Sequence, residues 1–235
     1  MISGLQKMTL LDYPGKVACT VFLSGCNFRC PFCHNSGLLE QAEEEFMSQE
    51  ELLVFLRKRK GLLDGVCITG GEPTLQAGLK DLAKQIKEEG FLVKLDTNGT
   101  RPKVLRELVE EKLVDYVAMD IKNSPKLYGA TVGVPGVTLN NIEQSIRLLL
   151  SGAVEYEFRT TVMDELHGED AMTEMGKWLR SLDEDHPAKR FFLQPYADRE
   201  SVLAPGMHTP SKEKLHNLAK AIAPFAKNVE IRAMD

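Results

Sequence analysis

Short apolar runs alternate along the chain with segments of helical period. Runs at 17–23, 65–69, 91–96, 114–120, 154–162 and 190–194 read as strands. Between and after them, helix-period segments lie at 48–60, 75–89, 102–112, 139–150, 170–182 and 211–225, and a last short strand is predicted at 229–231. Ser48 and Glu51 have the spacing of a capping box, which sets the start of the first helix. Strands alternating with helices imply parallel βαβ units with right-handed crossovers, and apolar strand interiors fit a sheet covered on both faces. A closed eight-unit barrel and an open Rossmann sheet give the same alternation. The reactive residues described below fall at or just after the C-terminal ends of successive strands, where barrel active sites collect. Six units do not close an ordinary barrel. The expected architecture is therefore α/β, an incomplete (β/α)6 TIM-like barrel of parallel strands with a lateral opening. With no low-complexity linker and no repeat, residues 1–235 are expected to form a single domain, with a cysteine loop at 24–36 and a C-terminal helix and strand within 210–235.

Composition narrows the class. Hydrophobic residues make up 43% and charged residues 27%, as in ordinary globular proteins, and the net charge of −5 offers no basic field for nucleic acid or an anionic membrane. The basic run Arg57-Lys58-Arg59-Lys60 lies where the helix over 48–60 ends and complements the helix dipole there. No apolar run approaches the ~20 residues of a membrane span. The first residues, MISGLQKMTLLDYPGK, lack the apolar core and cleavage site of a signal peptide, so a cytoplasmic location is expected. In that compartment clustered cysteines point to metal or redox chemistry rather than disulfides.

Cys26, Cys30 and Cys33 have the spacing C-x3-C-x2-C, and His34 follows directly. Three thiolates within eight residues can wrap one compact metal centre. Structural zinc takes four ligands and iron–sulfur clusters usually take four cysteines, yet no fourth cysteine lies nearby. Cys19 and Cys67 fall inside predicted strands and read as small core residues. A cubane on three cysteines leaves one iron open to a substrate or cofactor. The competing Cys3His zinc site would need adjacent Cys33 and His34 at two vertices of one tetrahedron, which strains the backbone. His34 is otherwise a neighbour of the cluster or a structural histidine. Phe28 and Phe32, interleaved with the cysteines, are placed to shield a cluster from water.

The three-cysteine loop, followed by Gly70-Gly71-Glu72-Pro73 at the end of the second predicted strand, resembles the radical S-adenosylmethionine (SAM) superfamily. The segment Leu11-Asp12-Tyr13-Pro14-Gly15 and the run Cys33-His34-Asn35 resemble, within it, the activating enzymes of glycyl-radical proteins, above all the longer type that activates anaerobic ribonucleoside-triphosphate reductase. Pyruvate formate-lyase activating enzymes are near relatives. The resemblance runs from Gly4 to the sixth predicted strand and weakens after about Tyr196.

The resemblance implies a [4Fe–4S] cluster on Cys26, Cys30 and Cys33, with SAM on its open iron. Gly70, Gly71 and Glu72 would meet the SAM amino group, where a plain βα turn is the alternative. Asp96, in Asp96-Thr97-Asn98-Gly99, would face SAM; an Asx-type turn accounts for the same residues. Asp120 and Lys122 alternate onto one side of the fourth predicted strand and would bind SAM, unless they form a surface ion pair. In pyruvate formate-lyase activators the positions of Asp96 and Asp120 also help to hold a monovalent cation. Arg159, inside the fifth predicted strand, would meet the SAM carboxylate or ribose, where a guanidinium suits bidentate contact; a snorkelling arginine is the bland alternative. At the sixth strand, Gln194-Pro195-Tyr196-Ala197 has alanine where pyruvate formate-lyase activators carry an adenine-side histidine, and Gln194 is placed to meet adenosine instead.

The activity so implied is reductive cleavage of SAM to methionine and a 5′-deoxyadenosyl radical, which takes a hydrogen from a glycine of a partner protein. The partner expected first is anaerobic ribonucleotide reductase. A flavodoxin or ferredoxin type of donor would supply the electron. The rivals are an activator of pyruvate formate-lyase or another glycyl-radical enzyme, a radical SAM enzyme acting on another substrate, and, from a different class, a zinc-stabilised binding protein. The lack of a second cysteine cluster argues against methylthiolation.

Overall fold

A computed structural model describes residues 2–197, 202–204 and 206–232. Its strands are β1 (Ile2–Thr9), β2 (Ala18–Leu23), β3 (Gly65–Gly70), β4 (Leu92–Thr97), β5 (Tyr116–Asp120), β6 (Glu155–Val162), β7 (Phe191–Pro195) and β8 (Val229–Ile231). They follow one another in chain order in one sheet, which ends at β1 and β8 and is not closed. The six predicted strands are all present, and so is the short one at 229–231. The addition is β1, antiparallel to β2, with Ile2 opposite Leu23 and Thr9 opposite Ala18. It escaped the reading of the pattern because Gln6, Lys7 and Met8 are exposed and only its two ends are buried. An edge strand of this kind carries no alternating or continuous apolar signal.

The chain divides into two compact units. The first comprises Met1–Asn27, Gly37–Thr97 and Arg101–Ala118. In it, β2, β3 and β4 pair in parallel, with Ala18 beside Gly65 and Gly65 beside Leu92. Val21, Val66, Ile68, Val93 and Leu95 are fully buried, as strands covered on both faces require. The helices of this unit are α1 (Gln49–Arg57), α2 (Leu79–Glu88) and α3 (Pro102–Glu110). Ser48 and Glu51 form the expected capping box at α1: the Glu51 N–H donates to Ser48 Oγ and the Ser48 N–H to Glu51 Oε2. The basic run behaves as a helix terminus, with Arg57 and Lys60 paired to Glu89 just past α2. The predicted helix over 75–89 starts late. A 3-10 turn at Pro73–Leu75 comes first and α2 begins at Leu79, because Glu72 caps the short turn and Gln76 leaves it in extended conformation.

The second unit comprises Phe28–Ser36, Asn98–Thr100 and Met119–Asp235. Here β6, β7 and β8 pair in parallel. The helices are a single turn α4 (Tyr128–Thr131), then α5 (Leu139–Leu150), α6 (Glu169–Leu182) and α7 (Lys212–Ile222). Ile142, Ile146 and Leu149 of α5 are fully buried at helical spacing, as are Met172 and Met175 of α6. The buried Glu157 of β6 is met by Arg232, 2.5 Å from its Oε1, just after β8; Arg232 also lies over the Phe192 ring at 4.3 Å. That contact fastens the C-terminal strand to the body of this unit.

Candidate active site

In the first unit, the end of β3 is built around the first part of the cysteine loop. Gly70 has φ +126°, and a Cβ there would lie 2.1 Å from the Leu23 carbonyl oxygen. A Cβ on Gly71 would lie 2.2 Å from the Gly25 carbonyl oxygen. Both positions therefore demand glycine because two backbones touch. The Gly71 N–H donates to Leu23 O and the Glu72 N–H to Gly25 O, each at 2.8 Å. Gly25 and Cys26 in turn donate to Leu38 O and Leu39 O. The βα turn and the start of the loop thus form one hydrogen-bonded piece.

Glu72 is 1% exposed. Its Oε1 accepts from the Thr74 N–H at 3.1 Å, from the Thr97 hydroxyl at 2.7 Å and from the Thr74 hydroxyl. These bonds fix the carboxylate and link the ends of β3 and β4. Sequence reading missed Thr74 and Thr97, since neither residue type stands out at a turn.

Asp96, at the end of β4, pairs through Oδ1 with Lys94. The Lys94 side chain is 2% exposed, and its Nζ also lies 3.7 Å from Cys67 Sγ. Lys94 is the register partner of Cys67 in β3. Sequence reading named Asp96 and overlooked Lys94, although a lysine two residues before an aspartate in a strand shares its face. Cys67 is buried as expected, yet it has an ammonium for a neighbour. Cys19 is the plain core thiol of the two, its pKa pushed up to about 12 by burial.

In the second unit the structure brings Asp120, Lys122 and Arg159 together. Lys122 Nζ lies 2.8 Å from Asp120 Oδ2, and Arg159 Nε lies 3.0 Å from Asp120 Oδ1. The alternation of Asp120 and Lys122 onto one side is as the sequence implied, and Arg159 joins them from the neighbouring strand. Burial alone would raise the Asp120 pKa; the charges and hydrogen bonds of Arg159 and Lys122 outweigh it and hold the carboxyl well below the usual carboxylate range. Burial would likewise lower Lys122, but the charge of Asp120, and to a lesser degree Cys30, raises it above the ordinary lysine range. Lys122 and Arg159 bring two cationic donors together beside one carboxylate, an arrangement suited to an anionic group such as an amino-acid carboxylate.

The later part of the cysteine loop belongs to this unit. Phe32 is buried, and Lys122 Nζ lies 5.9 Å from its ring centre. Phe28 packs edge-on against Tyr128 of α4, and the Arg29 N–H donates to Val132 O at 2.8 Å. Gly133 makes this docking possible, with φ +65° and a Cβ position 2.3 Å from Arg29 O. Gly133→Ala is accordingly expected to push the loop off α4; iron bound after anaerobic reconstitution should fall several-fold, whereas Gly168→Ala, where a Cβ meets nothing within 4 Å and φ is −114°, should bind iron normally. Burial raises the Cys33 thiol, opposed by a backbone hydrogen bond at Asn35 and by the charge of Lys122. His34 Nε2 lies 2.8 Å from the Ala197 carbonyl oxygen, and its ring stacks on Tyr196 at 5.6 Å. Position 197 thus meets the loop through its backbone. Asn98 forms the Asx-type turn, its Oδ1 accepting from the Thr100 N–H at 3.0 Å. Gln194 lies in β7.

His167, also overlooked, is 1% exposed and holds this arrangement from behind. Its Nδ1 accepts from the Met163 N–H at 3.2 Å, so Nε2 carries the proton and donates to Lys122 O at 3.0 Å. Burial lowers its pKa. The unfolded chain takes up a proton near pH ~6.5 that the folded chain refuses. Stability in urea should therefore fall as pH drops below about 6.5, and His167→Asn should flatten that slope.

None of the five cysteines is in a disulfide. The donor set of Cys26, Cys30 and Cys33 fits a cluster that takes three thiolates, and the positive Asp120–Lys122–Arg159 group fits an anionic ligand. Among the described residues, no three His, Cys, Asp or Glu side chains are grouped to hold a single ion.

The fold and these residues define an α/β protein of parallel strands with a three-cysteine loop after β2. A profile of the Radical SAM superfamily matches residues 20–174, and the chain belongs to that superfamily, whose members use a [4Fe–4S] cluster and SAM. Within it, the chain belongs to the glycyl-radical enzyme activating enzymes: a Methanocaldococcus jannaschii protein that carries this name provisionally is 34% identical over 100% of this chain and 97% of its own length. The pyruvate formate-lyase-activating enzyme of Clostridium pasteurianum is 36% identical over 52% of each chain. The structure of Streptococcus suis SuiB bound to S-adenosylmethionine shares the fold, with a TM-score of 0.68 at 14% identity over 91% of this chain and 52% of that one. No helix among the described residues is long and apolar enough to cross a membrane.

Proposed function

We propose that this chain activates an anaerobic ribonucleoside-triphosphate reductase by taking a hydrogen from one of its glycines, and that residues 1–235 act as a single catalytic domain. The observation that carries the reading is the full-length likeness to a glycyl-radical enzyme activating enzyme, joined to a three-thiol loop and a positive Asp120–Lys122–Arg159 group. When bound, the cluster and SAM together supply one-electron reductive cleavage and hydrogen abstraction. In this reading Cys26, Cys30 and Cys33 hold the cluster. Arg159 and Lys122, oriented by Asp120, receive the SAM carboxylate, while Gly70, Gly71 and Glu72 approach the amino group and Asp96 lines the same ligand. Phe28 and Phe32 keep water from the thiolates. A flavodoxin or ferredoxin type of protein delivers the electron, in the cytoplasm. Alanine at position 197, in place of the adenine-side histidine, favours the reductase over pyruvate formate-lyase as target.

Anaerobic incubation with SAM, a strong reductant and each candidate glycyl-radical protein tests the assignment. A glycyl radical in the reductase, seen by electron paramagnetic resonance, is the expected result. A radical only in pyruvate formate-lyase would move the target to that enzyme. No radical in any candidate, despite SAM cleavage, would overturn the activator reading.

A further inference from the structure

Asp96 and Asp120 are the two carboxylates that, by resemblance, should help to hold a monovalent cation, and both are already neutralised from within the chain. Asp120 has a cation on each oxygen, Lys122 at 2.8 Å and Arg159 at 3.0 Å. A further cation there would have to compete with Lys122 and Arg159 for the same two oxygens. Asp96 carries the Lys94 ammonium on Oδ1. With its side chain 2% exposed, Lys94 is a buried ammonium, and a buried ammonium is held where a carboxylate compensates its charge. Its place in β4 is also fixed, opposite Cys67.

We infer that the Lys94 ammonium serves as a built-in replacement for a monovalent cation at Asp96, so that SAM binding in this enzyme is independent of sodium and potassium. Lys94 is then a positioning residue: it balances and orients a carboxylate that faces SAM. The inference rests on the SAM-binding reading of the preceding subsection. The monovalent cation that the resemblance implies and the lysine ammonium here would meet the same need, a single positive charge beside an aspartate. The lysine is covalently attached and cannot be diluted away.

The test uses the full chain with its cluster reconstituted anaerobically and measures SAM affinity by equilibrium dialysis. Sodium and potassium chloride are compared with tetramethylammonium chloride at equal ionic strength. A resident cation coupled to SAM would change the affinity by about 5- to 150-fold on removal, whereas the expected change for this protein is less than about twofold. In Lys94→Ala, affinity should fall in tetramethylammonium and recover when potassium or sodium is restored, a response that a purely structural lysine would not produce. Loss of wild-type affinity on removing alkali cations overturns the inference. So does Lys94→Ala binding SAM as tightly as wild type without them, or failing to recover when they return. If Lys94→Ala does not fold, the wild-type comparison still decides. If the loaded wild-type protein binds no SAM in any salt, the SAM-binding reading itself fails, an outcome distinct from cation dependence.

Discussion

Alanine in place of Cys26, Cys30 or Cys33, one at a time, should abolish the iron bound after anaerobic reconstitution and with it all reductive cleavage of SAM. Each cysteine supplies one of three thiolates, and no fourth cysteine lies in the loop to take its place. The remaining pair cannot close a cube of four irons. The loss should exceed the roughly 10- to 100-fold that removal of a mere outer-shell partner of a metal site costs. Cys19→Ala is the internal control. That thiol is fully buried within β2, and the change removes only a small core group, costing about 1 kcal/mol of stability. Iron content, visible absorbance and methionine release read out the set together. Full iron in any of the three loop variants would mean that the loop does not hold the cluster.

The second large effect is expected at Asp120. Alanine there leaves Lys122 and Arg159 facing each other without the carboxylate that joins them. Removing one partner of a buried pair costs about 3–5 kcal/mol, and with the Asp120 side chain 27% exposed the loss belongs at the lower end. Asp120→Asn keeps one acceptor oxygen and should lose roughly half as much. Urea unfolding of the apo protein measures both without involving catalysis. SAM affinity of the loaded protein should drop in parallel, because the two cations lose the group that aims them. The pH dependence carries a sign. A carboxyl with a depressed folded pKa contributes stability at any pH above its unfolded value of ~3.9, and that contribution is lost only as pH falls below it. Acid sensitivity near pH 6 thus belongs to His167, and a stability loss at pH 4 and below to Asp120. An Asp120→Ala variant as stable as the wild type would show that the triad is solvated rather than packed.

Much of this molecule is legible in its sequence. The six runs became β2 to β7: β2, β3 and β5 are short and almost wholly buried, β4 and β6 carry a charged residue within a buried run, and β7 buries alternate positions. Ser48 and Glu51 announced α1, since a capping box depends on two residues three apart. The cysteine spacing, and the positions of Gly70, Gly71, Glu72, Asp96, Asp120, Lys122 and Arg159 near strand ends, were equally open to reading. What sequence determined, then, was local: periodicity, spacing and residue chemistry within a few positions of one another.

Tertiary structure decided what lies between distant segments. β1 is a strand only because β2 offers it an edge, and its exposed Gln6 and Lys7 give no apolar signal. Gly70 and Gly71 must be glycine for a reason invisible in the motif: the backbones of Leu23 and Gly25 run through the space a Cβ would occupy. His167 supports Lys122 from 45 residues away, and Arg159 reaches Asp120 across 39. Most of all, Asp96 stood out in the sequence by its place at a strand end, while only the register of β3 and β4 set Lys94 beside Cys67, on the face of Asp96. Hydrogen bonds and ion pairs act over a few ångströms in space regardless of separation along the chain. The partners of a buried charge are therefore a property of the fold, even where the charge itself is plain in the sequence.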